Sequence, residues 1–279
     1  MRYVLGLPVR RRDTEGGFSD PGFIRDAMGR AEELGFWGVT APDHIVAPVE
    51  WARSGGGEQW FDPFSLLSFI AAHTTRIRLI THVIVLPYRS PFAVAKAIGS
   101  LDHLSGGRAV LGVGSGYLKE EFDILGVPFD DRGERTDEAL QAIAACWAEE
   151  HPEFHGRFFS ISGAAVAPRP LQQPRPPIWV GGNSMRAVRR AVEVGDCWTP
   201  FVAEPEDVAR GVARAESLGR RVEVAAPLGI VGPEDEPLER ADEYVRAGAG
   251  YLKGGFKGRD AGAWMSALEW FAANVGLHT

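Results

Sequence analysis

Leu79-Ile80-Thr81-His82-Val83-Ile84-Val85-Leu86 is almost continuously apolar and rich in β-branched residues. A strand with one wet face alternates apolar and polar side chains. This run does not, and a strand covered on both faces, as in a parallel sheet, reads this way. Working outward, seven further short apolar runs appear, at Tyr3–Pro8, Phe36–Ala41, Ala109–Gly114, Ile178–Gly181, Cys197–Val202, Val222–Val231 and Gly250–Phe256. Helix-period stretches separate them, over 21–34, 63–74, 91–104, 132–149, 184–194, 205–218, 236–247 and 261–274. Asp62-Pro63, Ser90-Pro91 and Pro205-Glu206-Asp207 carry helix-start chemistry. Strict alternation of eight strands with eight helices predicts an α/β fold, a closed (β/α)8 TIM barrel. A doubly wound open sheet is the alternative, but no GxGxxG fingerprint follows the first strand.

The 279 residues suit one domain, since such barrels run to about 250 residues. Hydrophobic residues at 45% and charged residues at 24% are ordinary for a water-soluble globular protein. A net charge of -7 offers no general basic footprint for nucleic acid. Cys146 and Cys197 are the two cysteines, too few for a disulfide framework, and no Cys/His run has zinc-finger spacing. The first strand is too short for a signal-peptide core, and no apolar run approaches the roughly 18 residues that span a bilayer. These features point to a cytoplasmic enzyme with no nucleic acid or membrane partner.

Two segments are longer than plain connections. Residues 43–61 hold Ser54-Gly55-Gly56-Gly57 between Trp51 and Trp60. Residues 151–176 hold a hairpin-like stretch from Phe154 to Ile161 and then a proline-rich run. These insertions, after strands two and four, are expected to border an active site; for the second, a surface insertion capping the barrel is the other reading.

Asp43-His44 ends strand two. Leu101-Asp102-His103-Leu104-Ser105-Gly106-Gly107-Arg108 precedes strand four, and Leu111-Gly112-Val113-Gly114-Ser115-Gly116-Tyr117 contains its end. Glu121-Phe122, Leu125-Gly126, Phe129, Arg132-Gly133 and Arg135-Thr136-Asp137-Glu138 follow, then Pro176-Pro177-Ile178-Trp179-Val180-Gly181-Gly182 and Gly195-Asp196-Cys197-Trp198. In this order and spacing the motifs resemble the luciferase-like monooxygenase superfamily, and within it the coenzyme F420 (deazaflavin)-dependent oxidoreductases. The resemblance covers the first three quarters of the chain and implies hydride transfer between F420 and a small organic substrate. An FMN-dependent monooxygenase using O2 is the first alternative. A flavin-binding barrel without turnover is another. A metal hydrolase finds no support, since no His-x-His ends strand one, and no metal is expected.

Chemistry in this fold sits at the C-terminal ends of strands. His44 lies there and is the expected catalytic proton donor or acceptor. Asp43 beside it fixes the imidazole tautomer or caps the loop. The glycines at 112, 114 and 116 suggest close approach of a flat ring to the backbone, with packing an easier explanation for Gly112 than for Gly116. The resemblance sets Ser115, Gly116 and Tyr117 beside the cofactor, and Gly181, Gly182 and Asn183 at its phosphate-bearing tail. Backbone N–H groups at a helix start suit an anion, though Asn183 or Ser184 also reads as an N-cap. Tyr117 replaces an acidic residue of the sugar-phosphate dehydrogenase branch, which argues against glucose-6-phosphate as substrate. Arg135 and Arg186 read as solvated cations, and Ser105–Arg108 as a tight turn on the far face. The resemblance further implies a non-proline cis peptide between His82 and Val83, at a bulge that supports the cofactor ring. It also implies a homodimer, formed through helices 63–74 and 91–104.

Overall fold

In a computed structural model, the run from Arg78 to Leu86 is the third stave of a closed parallel barrel. The structure describes residues 1–8, 17–57, 59–235 and 237–277. Strands and helices follow in the order β1 (Arg2–Gly6), α1 (Pro21–Glu33), β2 (Gly38–Ala41), α2 (Val49–Trp51), α3 (Pro63–His73), β3 (Arg78–Thr81), β4 (Ile84–Val85), α4 (Pro91–Leu104) and β5 (Ala109–Gly114). Next come α5 (Lys119–Leu125), α6 (Arg132–Ala148), the hairpin β6 (Phe154–His155) and β7 (Ser160–Ile161), β8 (Ile178–Gly181) and α7 (Met185–Val194). The chain ends on β9 (Cys197–Thr199), α8 (Pro205–Ser217), β10 (Glu223–Val231), α9 (Pro237–Arg246), β11 (Tyr251–Phe256) and α10 (Ala261–Asn274). The expected start of the eighth-strand-preceding helix at residue 236 lies outside the described residues.

The barrel order is β3-β2-β1-β11-β10-β9-β8-β5, and a β3–β5 pairing closes the ring. β4 continues the path of β3 and pairs with β5. The single strand expected over Arg78–Leu86 is thus divided at His82-Val83, where the peptide bond is cis, as expected. A 3-10 turn over Leu86–Tyr88 then ends it. The sixth strand-to-helix connection also begins earlier than expected, because β9 stops at Thr199 rather than Val202.

Helix starts follow the local chemistry. Asp20 and Asp62 accept from the backbone N–H groups of Phe23 and Ser65, and prolines occupy the first turns of α1, α3, α4 and α8. Inside the barrel, Val4, Ile80, Val110, Trp179, Cys197, Ala225 and Tyr251 form one buried layer drawn from seven strands. Trp37 closes it from below, its ring lying at 4° to that of Trp179. A larger apolar layer fills the space between strands and helices. Such a filled barrel leaves room for ligands only at its mouth.

Ser105–Arg108 is the tight turn the sequence suggested. Gly106 and Gly107 have φ of 69° and 85°. The buried Arg108 guanidinium donates to the carbonyls of Ala71, Thr74, Ile77 and Ser105, tying the lower rim together.

Candidate active site

A cavity of about 1040 Å³ opens at the C-terminal ends of the strands. Every residue named above as a site candidate lines it, from Asp43, His44, His82 and Val83 to Gly114–Tyr117 and Gly181–Asn183. Chain order spreads these residues over four βα units, and barrel closure brings them together.

His44 stands at one wall, packed between Trp51 and Trp60 with ring centroids 4.6 Å from each. Its Nδ1 lies 2.9 Å from Glu121 Oε2. Glu121 is 1% exposed, and its Oε1 also accepts from the N–H groups of Ile45 and Val46. A carboxylate on Nδ1 keeps the proton on that nitrogen and turns Nε2 outward as an acceptor. Nε2 has no hydrogen-bond partner among the described residues.

Asp43 plays a different part from the tautomer-fixing one considered above. Its carboxylate takes the Arg89 guanidinium at 2.7 Å and the Val85 N–H at 3.1 Å, so it ties strand two to the end of strand three. Glu121 supplies the orientation instead. It comes from α5, a helix that sequence periodicity did not reveal. Seven residues are too few to show a helical period. Gly126 in a left-handed C-cap at φ 68° was the available signal for its end.

The cavity floor is built around Val83. A Cβ on Gly114 would stand 2.7 Å from one Val83 methyl, and one on Gly181 would stand 2.8 Å from the other. These glycines let Val83 rise between β5 and β8. A Cβ on Gly112 would overlap the Thr81 carbonyl oxygen. Gly116, expected to be the harder one to explain by packing, is also required internally. It has φ of 77°, and a Cβ there would meet Phe122 and Val85. Tyr117 is exposed at the rim, edge-on to His44. His82 points inward, with Nε2 2.9 Å from Thr199 Oγ1, and burial of the ring pushes its pKa well down, so it is neutral.

The opposite wall is cationic. Arg190, 4% exposed, binds Asp137 at 2.5 Å, the Gly133 carbonyl at 3.1 Å and Ser115 Oγ at 3.2 Å. Arg186 joins Asp137 at 3.0 Å, and Arg132 donates to the Gly116 carbonyl at 3.3 Å. All three arginines line the cavity, whereas Arg135 pairs with Asp131 and lies over Phe158 away from it. Arg190 was missed in the sequence; its signal is a charge on the apolar face of α7, beside Ala187 and Ala191. Ser184 is the N-cap, accepting from the Ala187 N–H. The Asn183 side chain is occupied by the Val202 carbonyl and the Phe201 N–H. It therefore shapes the turn, leaving the backbone of Gly181 and Gly182 to face a ligand.

The second insertion departs from its expected place. No residue of 151–176 lines the cavity. Glu138 on α6 holds the hairpin by the N–H groups of Arg157, Phe158 and Phe159, and Gln172 then reaches Asp102 and Arg78 at the lower rim. The proline-rich run covers the barrel's underside.

Cys146 and Cys197 are free and buried, and burial pushes both thiols up. Among the described residues no cluster of His, Cys, Asp or Glu is arranged to hold a metal, and no helix is long and apolar enough to cross a membrane.

Comparison with known proteins agrees with this architecture. Residues 1–249 match the family model described as luciferase-like monooxygenase. An uncharacterised protein of Mycobacterium tuberculosis is 35% identical over 211 residues, covering 72% of each chain. The FMNH2-dependent dimethylsulfone monooxygenase of Pseudomonas putida is 27% identical over 218 residues, 76% of this chain and 58% of that one. Among solved structures, an F420-dependent secondary alcohol dehydrogenase, bound to an F420-acetone adduct, superposes with a TM-score of 0.78. It is 16% identical, with 96% of this chain and 97% of that chain covered. The chain belongs to the luciferase-like monooxygenase family.

Proposed function

We propose that this protein is an oxidoreductase that binds coenzyme F420 and moves a hydride between it and a small organic substrate. The observation that carries the reading is His44, with Nδ1 committed to Glu121 and Nε2 uncommitted in the cavity. Interconversion of an alcohol and a carbonyl needs one proton moved at the substrate oxygen, and a carboxylate-oriented imidazole suits that task.

The site's residues fit a flat ring with an anionic tail. The cavity is at the upper end of the roughly 300–1,000 Å³ usual for small-molecule sites. Val83, Gly114 and Gly181 offer an apolar stretch of floor, and Ser115, Gly116 and Tyr117 border it. Gly181, Gly182 and Asn183 lead into the N-terminus of α7, where Arg132, Arg186 and Arg190 add positive charge for a phosphate-bearing tail. When bound, the cofactor supplies hydride chemistry at its ring. Trp51 and Trp60 exclude water above His44, and His44 Nε2 holds or receives the proton at the substrate oxygen.

The second reading is an FMN-dependent monooxygenase, favoured by the likeness to the dimethylsulfone enzyme. Equilibrium titration of the purified protein with F420 and with FMN, followed by absorbance, separates the two. Tighter binding of F420 is expected. Tighter binding of FMN, with oxygen consumption on reduction, overturns the proposal.

A further inference from the structure

The cavity floor carries a second polar group, remote from His44 in sequence and unused by the chemistry above. Thr40, His82, Thr199 and Lys253 all line the cavity. Lys253 is on β11, in register with Val4 on one side and Pro227 on the other. Its side chain crosses over β10 to donate to the Pro200 carbonyl beyond β9, at 2.7 Å. That is its one hydrogen bond among the described residues, and no carboxylate there pairs with it. Buried lysines are rare, and those that stay charged are paired. The same βα unit adds another uncommitted donor. Trp264 on α10 lines the cavity with no exposure, and its Nε1 has no hydrogen-bond partner among the described residues. Both residues lie beyond residues 1–249, the span that matches the family model.

We propose that Lys253 is a specificity-determining residue that receives an anionic oxygen, carboxylate or enolate, of the ligand bound in this cavity. The inference rests on the reading of this cavity as the active site. A cationic lysine there completes an ion pair that the protein itself does not supply, and the floor walls on either side, Gly6, Pro227 and Gly254, carry no competing charge. The titratable groups facing Lys253 are His82 and Cys197. Burial lowers the pKa of the first and raises that of the second, so both are neutral at pH 7. Burial likewise lowers Lys253 itself, to about 7. An anion bound against it reverses this shift, so ligand binding at pH 8 draws a proton onto the amine. At pH 6 the amine already holds that proton, and the uptake disappears.

The anion has two possible sources, a substrate carboxylate or the acidic ring system of the cofactor. Calorimetric titration in buffers of different ionisation enthalpy counts the protons taken up. The probes are benzoate and hexanoate, added to the protein alone and to protein saturated with F420 or FMN, and the two cofactors alone. Uptake approaching one proton at pH 8 is expected, falling away by pH 6. Lys253→Met is expected to abolish it and to weaken the responsible ligand at least tenfold at pH 6. Lys253→Arg, always charged, keeps binding without proton uptake. Dependence on Lys253 in the carboxylate titrations assigns the anion to the substrate, and dependence in the cofactor titrations alone assigns it to the ring. If wild type and both variants take up protons equally in every titration, or none does, the proposal is overturned. Failure of F420 to bind overturns the proposed function, while the carboxylate titrations of the protein alone still decide the role of Lys253.

Discussion

Glu121 Oε2 lies 2.9 Å from His44 Nδ1, and the other oxygen of Glu121 holds the backbone of Ile45 and Val46. Tyr88 is near enough to feel this carboxylate, and burial, followed by the charge of Glu121, raises the Tyr88 phenol above its ordinary pKa. The carboxylate therefore sets both the ring's tautomer and the position of the strand-two loop. Replacing Glu121 with Gln keeps the shape and removes the charge. We expect turnover to fall about 10–100-fold, the usual effect of losing such an orienting partner. Cofactor affinity should move only a few-fold. Single-turnover kinetics beside equilibrium binding checks this, and equal losses in both would mean that Glu121 only holds the fold.

His44→Ala tests the reacting group itself. A proton-transfer role contributes typically about 10²–10⁴-fold to rate. The expected loss is in turnover, with cofactor binding retained. A variant that turns over at the wild-type rate would make His44 a packing residue between Trp51 and Trp60.

Two glycines should respond to alanine in opposite directions. At Gly112 the new methyl overlaps the Thr81 carbonyl oxygen, which is backbone and has no rotamer to escape into. Overpacking of this kind costs roughly 1–3 kcal/mol or more. At Gly29, inside α1, nothing lies within 4 Å of the added methyl. There alanine should stabilise by about 0.4–1 kcal/mol, through helix propensity and a less flexible unfolded chain. Denaturant melts of Gly112→Ala and Gly29→Ala read both signs.

Acid stability should depend on Asp137. Burial pushes its carboxyl up, but hydrogen bonds and charge from Arg190 and then Arg186 outweigh burial and hold it below its ordinary value. A depressed carboxyl pKa means stability that is full above the unfolded value, near about 3.9, and lost as pH falls through the folded one. The margin of wild type over Asp137→Asn should therefore be flat from neutral pH to about 5 and shrink below about 4. A margin that stays constant down to the lowest foldable pH would show that the pair carries no such linkage.

A homodimer through α3 and α4 is the expected assembly. Leu67 and Ile98 are buried in the core, while Phe64, Phe69 and Phe92, packed at its edge, remain only partly buried. Light scattering at micromolar concentration should give twice the chain mass, and a monomer at all concentrations would refute it.

The barrel was legible because its signals are local. Strands buried on both faces are mostly apolar, as Leu79–Leu86 is, and capped helices announce themselves at Asp62-Pro63 or Pro205. His44 was legible for the same reason, as a polar pair at the end of a strand. The residues that complete the site were not. Glu121 meets His44 across 77 positions, Arg190 meets Ser115 across 75, and Lys253 reaches Pro200 across 53. No periodicity relates such residues, because closure of the barrel, rather than any run of sequence, sets their distance. Lys253 interrupts an apolar strand and could have been marked as unusual. Whether that lysine pointed into the barrel, out to solvent or toward a carboxylate was decided by strand register, and register is a property of neighbouring strands. By itself the sequence determined the alternation, the class of fold and which strand end held the imidazole. Only the tertiary structure decided that Glu121, and not the adjacent Asp43, orients that imidazole, because Asp43 is drawn off by Arg89 and the Val85 N–H while α5, after the fourth stave, delivers a buried carboxylate across the barrel mouth.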